Sequence, residues 1–218
     1  MHWETVGDLL AETLRKLMQA EELMEFRLVG GTALSLHLGH RMSVDIDLFT
    51  DAIYGSIDFD LIEAYLLNNF AYVHGDFGGG TIMGKSYLVG SDKDNGVKLD
   101  VYYSNDPFFQ DVIEVEGIRM ATVQEIIAMK IDIVQRNRRK KDFWDLHDLL
   151  LNYTIDQMID LHKQRFEWTH EPDLIIGGFG KISEADDDLT PICLKNKQWA
   201  FIKDDFREAI KDHEPAGT

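Results

Sequence analysis

The spacing of apolar positions changes several times along the chain, and each change marks an element. Residues 3–24 carry apolar side chains three or four positions apart, which predicts an N-terminal helix. A short apolar run at residues 26–29 predicts a strand, which Gly30 and Gly31 end. A short apolar helix over residues 32–39 and a second apolar strand, in the run VDIDLF, are expected to follow.

Strand-like runs broken by turn signals fill the middle of the chain. A helix precedes them, with either Ser56 or Asp58 as its cap. Strands are expected at residues 86–90 and 97–103, and a small hairpin over residues 113–120. The turn signals are Asp76 with the glycines at 78–80, Asn95-Gly96, and Glu116-Gly117.

Beyond residue 121 the pattern is helical. Two capping-box sequences, Thr122-x-x-Glu125 and Thr154-x-x-Gln157, each predict the start of a helix. Further amphipathic helices are expected from residue 142 onwards and over residues 198–211, and the acidic run at 186–188 is interpreted as a solvated loop. We therefore expect an α/β domain over residues 1–121 and a helical region over residues 122–218.

Composition and charge exclude several classes of protein. The net charge of −17 argues against strong non-specific binding to nucleic acid, whose phosphates it repels. No apolar run approaches the roughly 18 residues of a membrane span, and the acidic, amphipathic N-terminus is not typical of a signal peptide. A single cysteine, Cys193, excludes an intrachain disulfide and suits a reducing cytoplasm.

A basic run stands against this acidic background. The simpler interpretation is a solvated turn between two helices, and the functional one is a docking surface for the phosphates of an RNA. Its members are Arg136, Arg138, Arg139, Lys140 and Lys141.

The first candidate chemistry is a phosphate-binding turn. A strand that ends in Gly30-Gly31 and leads into a helix starting at Thr32 combines close backbone approach with exposed N–H groups and a hydroxyl. A tight turn without function is the alternative, because a lone glycine pair is weak evidence.

The second candidate is a metal site made of carboxylates. Asp45 and Asp47 are two residues apart on one strand, so both point to one face. Two such carboxylates repel each other unless a cation or another positive partner lies between them. The strand VKLDVYY adds Asp100, with Lys98 on the same face. The alternative is a solvated strand end with caps or turns. A phosphate turn beside hard oxygen ligands is what a Mg-nucleotide requires.

These motifs in this order resemble the AbiEii-type nucleotidyltransferase family, whose best-known members are toxins of bacterial toxin–antitoxin and phage-abortive systems. The resemblance covers roughly residues 26–151. It implies a mixed sheet flanked by helices, a helical C-terminal region, and transfer of a nucleoside monophosphate from an NTP to an acceptor. The matching pieces are GGTALSLHLGHRMSVDIDLF, KLDV, and an AMK helix followed by KDFWDLHDLL.

The resemblance assigns roles to individual residues. Asp45, Asp47 and Asp100 are the predicted catalytic ligands of two Mg²⁺ ions, with Mn²⁺ as a substitute. The wider superfamily usually has Gly-Ser at the turn, so either Thr32 or Ser43 would bind phosphate here. The predicted nucleotide-binding residues are Gly30, Gly31, Thr32, Arg41, Ser43 and Lys130.

Two of these side chains, and one further candidate, also have ordinary structural explanations. An arginine such as Arg41 is more often solvent-facing or salt-bridged than bound to a triphosphate. Lys130 could be a surface lysine on its helix. Asp142 is a further catalytic candidate, although Asp142 and Asp145 also fit an amphipathic helix paired with Arg138 or Lys141.

Two functions from different classes remain open. The first is a metal-dependent nucleotidyltransferase in the cytoplasm, with an NTP as substrate, a cognate antitoxin as partner and tRNA, a protein side chain or a small molecule as acceptor. The second is a catalytically silent NTP-binding or antitoxin-controlled module on the same fold.

Overall fold

A computed structural model describes residues 1–78 and 83–211 and divides the chain into two compact units. The first comprises Met1–Gly39 and Ser43–Thr122, and the second comprises His40–Met42 and the chain from Val123 onwards. Gly79 and Gly80 of the predicted turn lie outside the described residues. Within these ranges, every helix is too short or too polar to traverse a lipid bilayer.

The first unit is a seven-stranded sheet with helices packed on it. The sheet order is β3-β4-β5-β2-β1-β7-β6; β2/β5 and β1/β7 are parallel pairs and the other pairs are antiparallel. The predicted mixed sheet is therefore confirmed. In chain order the elements are α1 Asp8–Met18, β1 Arg27–Leu28, α2 Gly30–Leu38, β2 Asp45–Thr50, α3 Phe59–Asn69, β3 Tyr72–Gly75, β4 Gly84–Gly90, β5 Gly96–Tyr103, β6 Ile113–Val115 and β7 Ile118–Met120.

Strict alternation along β2 and β5 gives the sheet one apolar and one polar face. Ile46, Leu48, Leu99 and Val101 are fully buried, and α1 packs against β2, β4, β5 and β7. Burying four large aliphatic side chains stabilises this pairing by about 1.5–3 kcal/mol each. The residues between these buried ones point to the opposite, polar face of the sheet. The register that buries the aliphatic side chains therefore also decides which polar side chains lie next to each other.

The N-terminal helix is shorter than predicted. Gly7 is extended and precedes α1, and Ala20 is extended after it. Two short 3₁₀ turns, Trp3–Thr5 and Glu21–Leu23, fill the rest of the expected helix. The apolar spacing continued through both breaks because these turns also bury residues against the core.

Of the two predicted hairpin turns, one is confirmed and the other is wrong. Glu116 and Gly117 both have positive φ, as a two-residue hairpin turn requires. The predicted Asn95-Gly96 turn is wrong, because Gly96 pairs with Gly90 and the loop comprises residues 91–95. The Asp92 carboxylate accepts hydrogen bonds from the backbone N–H groups of Asp94 and Asn95, which stabilises the wider loop.

The cap of α3 is Asp58 and not Ser56. Asp58 Oδ1 accepts hydrogen bonds from the N–H groups of Asp60 and Leu61 at 3.0 and 3.2 Å. Two of the N–H groups at the start of the helix are thereby satisfied.

The second unit is helical, as predicted for this part of the chain. A complete capping box joins Thr154 and Gln157 at the start of α6. Rings of Phe143, Phe179 and Phe206 form its aromatic core, with centroids 5.4–6.4 Å apart. The helices are α4 Val123–Arg136, α5 Lys140–Leu149, α6 Ile155–Arg165, α7 Pro172–Gly180 and α8 Trp199–Lys211.

The acidic run at 186–188 is an exposed turn, as its composition predicts, but two of its carboxylates also bind other elements. Asp188 Oδ2 accepts a hydrogen bond from the N–H of Lys140, so it caps α5 from 48 residues away. Asp186 accepts hydrogen bonds from Trp199 Nε1 and Lys203 Nζ on α8. Two of the three carboxylates are thus structural.

An ion pair between Glu63 of α3 and Lys85 of β4 joins this helix to the sheet. Lys85 Nζ donates to Glu63 Oε1 at 2.5 Å, and each side chain is 8% exposed. Lys85→Met leaves a buried carboxylate without its cation, so we expect a loss of about 3 kcal/mol in the free energy of unfolding, measured with urea. Adding Glu63→Gln should recover part of it. A Lys85→Met variant within about 0.5 kcal/mol of the parent would contradict this.

Candidate active site

The glycine turn brings a carboxylate against the start of α2. Gly30 has φ +69°, and a Cβ built on it would lie 2.5 Å from Asp47 Oδ2. The N–H of Val29 donates to the carbonyl of Asp47 at 2.9 Å, which fixes the turn to β2. Both the backbone conformation and the close approach require glycine at position 30. Gly31 follows as the second residue of α2.

Two buried hydroxyls join the same helix start to the chain before β2. Thr32 Oγ1 donates to the carbonyl of Asp45 and is 2.8 Å from Ser43 Oγ, which therefore donates to it. Both residues are buried. Of the two hydroxyls predicted to bind phosphate, each is thus engaged with the other, and together they position α2 beside Asp45.

Three carboxylates share the polar face of the sheet. Asp47 pairs with Asp100 in the parallel register of β2 and β5, and Asp45 pairs with Lys98. All three carboxylates are partly exposed. The structure therefore places Asp100 of β5 on the same sheet face as Asp45 and Asp47 of β2.

Asp100 is held by two donors. Ser86 Oγ donates to Asp100 Oδ1 at 2.6 Å, and Lys98 Nζ donates to Asp100 Oδ2 at 2.5 Å. Ser86 Oγ also lies 3.0 Å from Tyr102 Oη. A carboxylate with a donor on each oxygen has a defined orientation.

The position of Lys98 among the acids is not predicted by the spacing of residues along β5. Its hydrogen bond to Asp100 raises the pKa of its ammonium, and the negative charges of Asp45 and Asp47 add to that effect. The alternation K-x-D in β5 placed it on this face, but only the register shows that it lies beside all three acids.

The donor set fits a hard cation, although the side chains are not gathered around one point. Carboxylate oxygens are the ligands that Mg²⁺ prefers. Among the residues that the structure describes, no three His, Cys, Asp or Glu side chains form a ready metal-binding group. Asp47 is turned toward Gly30, and Asp100 is engaged by Ser86 and Lys98.

The second unit contains a buried charged cluster. Lys130 Nζ lies 2.6 Å from Asp142 Oδ1 and 2.7 Å from Asp145 Oδ2. Arg41 donates to both oxygens of Asp145 at 2.6 and 2.9 Å, and His40 Nε2 lies 2.7 Å from Oδ1. Lys130 is therefore not a surface lysine, and Arg41 is salt-bridged.

Segment 40–42 reaches this cluster through backbone pairing within the second unit. The N–H of Met42 donates to the carbonyl of Ile192, and the N–H of Leu194 donates to that of His40, each at 2.9 Å. Arg41 thereby lies opposite Cys193 in an isolated antiparallel bridge.

Asp145 and Lys130 stay charged in this cluster despite their burial. Burial opposes ionisation of Asp145, yet the charges of Lys130 and Arg41 hold its pKa well below the usual value. Burial likewise opposes the charge on Lys130, but Asp145 and Asp142 raise its pKa. Asp142 is paired with Lys130 and Arg139, and not with the Arg138 or Lys141 suggested by helical spacing.

The basic run at residues 136–141 is largely occupied by pairs inside the second unit. Arg136 pairs with Asp132, Arg138 with Glu184, and Arg139 with Asp142. Lys140 is buried and donates to the carbonyls of Asp186 and Asp188. These contacts count against an open docking surface for RNA.

Comparison with solved structures shows that the fold is a nucleotidyltransferase fold. A Helicobacter pylori protein described as a nucleotidyltransferase matches with TM-score 0.58 at 21% identity, over 93% of this chain and 90% of its own. JHP933 from Helicobacter pylori gives 0.57 at 20%, over 93% and 88%. MenT4, a nucleotidyltransferase toxin from Mycobacterium tuberculosis, gives 0.52 at 12%, over 94% and 84%.

The family follows from sequence. The profile described as "Nucleotidyl transferase AbiEii toxin, Type IV TA system" matches residues 12–216. The chain therefore belongs to the AbiEii nucleotidyltransferase toxin family, and the resemblance noted from its motifs is confirmed. The class of enzyme, a nucleotidyltransferase, is confirmed with it. No curated protein sequence matches the chain.

The contact between Gly30 and Asp47 leads to a prediction. Gly30→Ala places a methyl group against the carboxylate and forces an L-residue to positive φ, so we expect a loss of about 2 kcal/mol in the free energy of unfolding. Gly177→Ala is the matched control, because a Cβ there meets nothing within 4 Å and position 177 lies inside α7. It should be neutral or slightly stabilising. Equal stability of the two variants would show that the contact imposes no constraint.

The depressed pKa of Asp145 generates a prediction for pH. A carboxylate whose pKa is lower in the folded state adds stability above its unfolded pKa of about 3.9 and loses it as the pH falls further. Asp145→Asn should unfold about 3 kcal/mol more easily at pH 7 and lose less stability below pH ~4 than the parent.

The exposed Asp187→Asn serves as the control and should follow the parent at every pH. Guanidinium unfolding curves recorded across this pH range measure the difference. Parallel pH profiles for the parent and Asp145→Asn would contradict the assignment of Asp145 as an ionised centre of the cluster.

Proposed function

We propose that the protein is a metal-dependent nucleotidyltransferase that moves a nucleoside monophosphate from an NTP to an acceptor. The observation that supports this most directly is the placement of Asp45, Asp47 and Asp100 on one sheet face, with Asp47 against the first residue of α2. An acid face beside a helix N-terminus combines ligands for a cation with donors for a phosphate.

Asp45, Asp47 and Asp100 would hold the divalent ions, Mg²⁺ or Mn²⁺. When bound, such ions neutralise the charge of a triphosphate and make a coordinated oxygen a better nucleophile. The three acids would fix the position of these ions. Ser86 would keep Asp100 oriented through its hydrogen bond to Oδ1.

The start of α2 would bind the outer phosphates. The N–H groups of Gly30, Gly31 and Thr32 are at the positive end of the helix, where anions are stabilised. Thr32 and Ser43 would act mainly by positioning this end, because their hydroxyls bind each other. The reaction forms a bond between the acceptor and the α-phosphorus and breaks the α–β anhydride, so pyrophosphate leaves.

Arg41 and Lys130 remain candidates for the triphosphate. Asp145 contacts both of them, and Asp142 contacts Lys130. In this proposal the two carboxylates keep the cations charged and oriented. Asp142 is then a positioning residue that acts through Lys130.

The partners follow from the family. A toxin of a type IV system implies an antitoxin, so we propose a cognate antitoxin beside the NTP. The acceptor is an RNA, a protein or a small molecule. The internal pairing of the basic run weakens the argument for RNA docking at residues 136–141.

Labelled nucleotides test the proposal. Incubation with α-³²P-NTP, Mg²⁺ and a cell extract containing RNA and protein should label an acceptor and release pyrophosphate, whereas γ-³²P-NTP should label none. Asp45→Asn should abolish transfer, because it removes a ligand and leaves a neutral amide. Asp94→Asn, an exposed change in the β4–β5 loop, should leave it intact.

Two outcomes would overturn this proposal. Transfer from the γ position would indicate a kinase, and full activity in Asp45→Asn would remove the acid face from the mechanism. NTP binding without transfer from either label in several extracts would favour the silent binding module.

A further inference from the structure

Lys98 lies among all three acids of the polar sheet face. Its Cα pairs with that of Asp45, and Asp47 and Asp100 form the next pair along the same two strands. The side chain of Lys98 is 53% exposed, yet its ammonium donates to Asp100 Oδ2 at 2.5 Å instead of extending into solvent. A half-exposed lysine folded back onto a carboxylate indicates that the local negative charge attracts it.

The charges on this face explain the conformation. Three carboxylates on two paired strands repel one another, and a cation near them lowers the free energy of the ionised state. Lys98 supplies one positive charge against three negative ones. The face therefore carries a counter-cation of its own.

Asp100 cannot serve this cation and a metal ion equally well. Oδ1 receives the hydroxyl of Ser86, and Oδ2 receives the ammonium of Lys98. An ammonium and a dication on the same oxygen repel each other strongly at such short range. The lysine is the group able to leave, because its stem is flexible and its side chain is 53% exposed, whereas that of Asp100 is 17% exposed.

We propose that Lys98 is a built-in counter-cation that occupies the metal side of Asp100 and that a divalent ion must displace it. Lys98 thus sets the metal affinity of the site, and Ser86 keeps the carboxylate in place during the exchange. The inference rests on the proposed function, because the ion concerned is the one that Asp45, Asp47 and Asp100 would hold.

The displacement has a defined signature in metal binding. Neutralising Lys98 removes the competitor at Asp100 Oδ2, so Lys98→Met should bind Mn²⁺ roughly five-fold more tightly than the parent. Lys98→Arg keeps the charge and should bind Mn²⁺ no more tightly than the parent. Lys93→Met, an exposed change in the β4–β5 loop, controls for the loss of a lysine elsewhere on the hairpin.

The experiment titrates each purified protein with Mn²⁺, followed by electron paramagnetic resonance of the free ion, with no nucleotide present. Thermal unfolding in EDTA supplies a second measurement. Lys98→Met should melt below the parent without metal and gain more from added Mn²⁺, because metal binding to the folded state stabilises it. Lys98→Gln provides a second neutral variant, and folding of either neutral variant only with Mn²⁺ would also support the displacement.

The results separate the two proposals. Equal or weaker Mn²⁺ binding by both neutral variants, with binding by the parent abolished in Asp45→Asn, would overturn the role of Lys98 and leave the metal site standing. No specific Mn²⁺ binding by the parent or by either neutral variant would overturn the metal site and the role of Lys98 together.

Discussion

The parallel pairing of β2 with β5 is the constraint on which the candidate site depends. Ile46 and Leu48 of β2 and Leu99 and Val101 of β5 are buried on one side of the sheet. A slip of one residue would turn them to the outside, at a cost far above that of any single polar contact. Burial of the aliphatic face of the sheet therefore places the acids together on the opposite face. The site has its geometry because the hydrophobic core has only one acceptable register.

Much of this arrangement could be predicted from residue spacing. Alternation predicted that Asp45 and Asp47 share a face, and the same period placed Lys98 beside Asp100 in β5. Spacing within one strand says nothing about which residue of another strand lies opposite. The pairs Asp47–Asp100 and Asp45–Lys98 are properties of register, so the part that Lys98 plays among the acids became visible only in three dimensions.

Other features depended on contacts between residues distant in sequence. Asp145 has helical spacing typical of a surface position, yet its partners are Lys130 on another helix and Arg41, more than a hundred residues away. Asp188 caps a helix that starts 48 residues earlier. A local pattern carries no information about such partners, and charged residues at amphipathic positions are solvent-exposed in most helices. Helical spacing accordingly offered Arg138 or Lys141 as partners for Asp145, and the composition of the acidic run did not show that Asp188 caps α5.

His40–Met42 belong to the second unit although they lie between two segments of the first. These residues are synthesised early, but their backbone partners, Ile192 and Leu194, emerge about 150 residues later. During translation, these residues between α2 and β2 therefore cannot form their backbone hydrogen bonds until Ile192 and Leu194 have been synthesised. A fragment that starts at Val123 lacks Arg41, and its Asp145 loses the bidentate guanidinium that its burial requires. A cut in the gene at the boundary between the sheet and the helices would therefore separate Arg41 from the unit in which its side chain is paired.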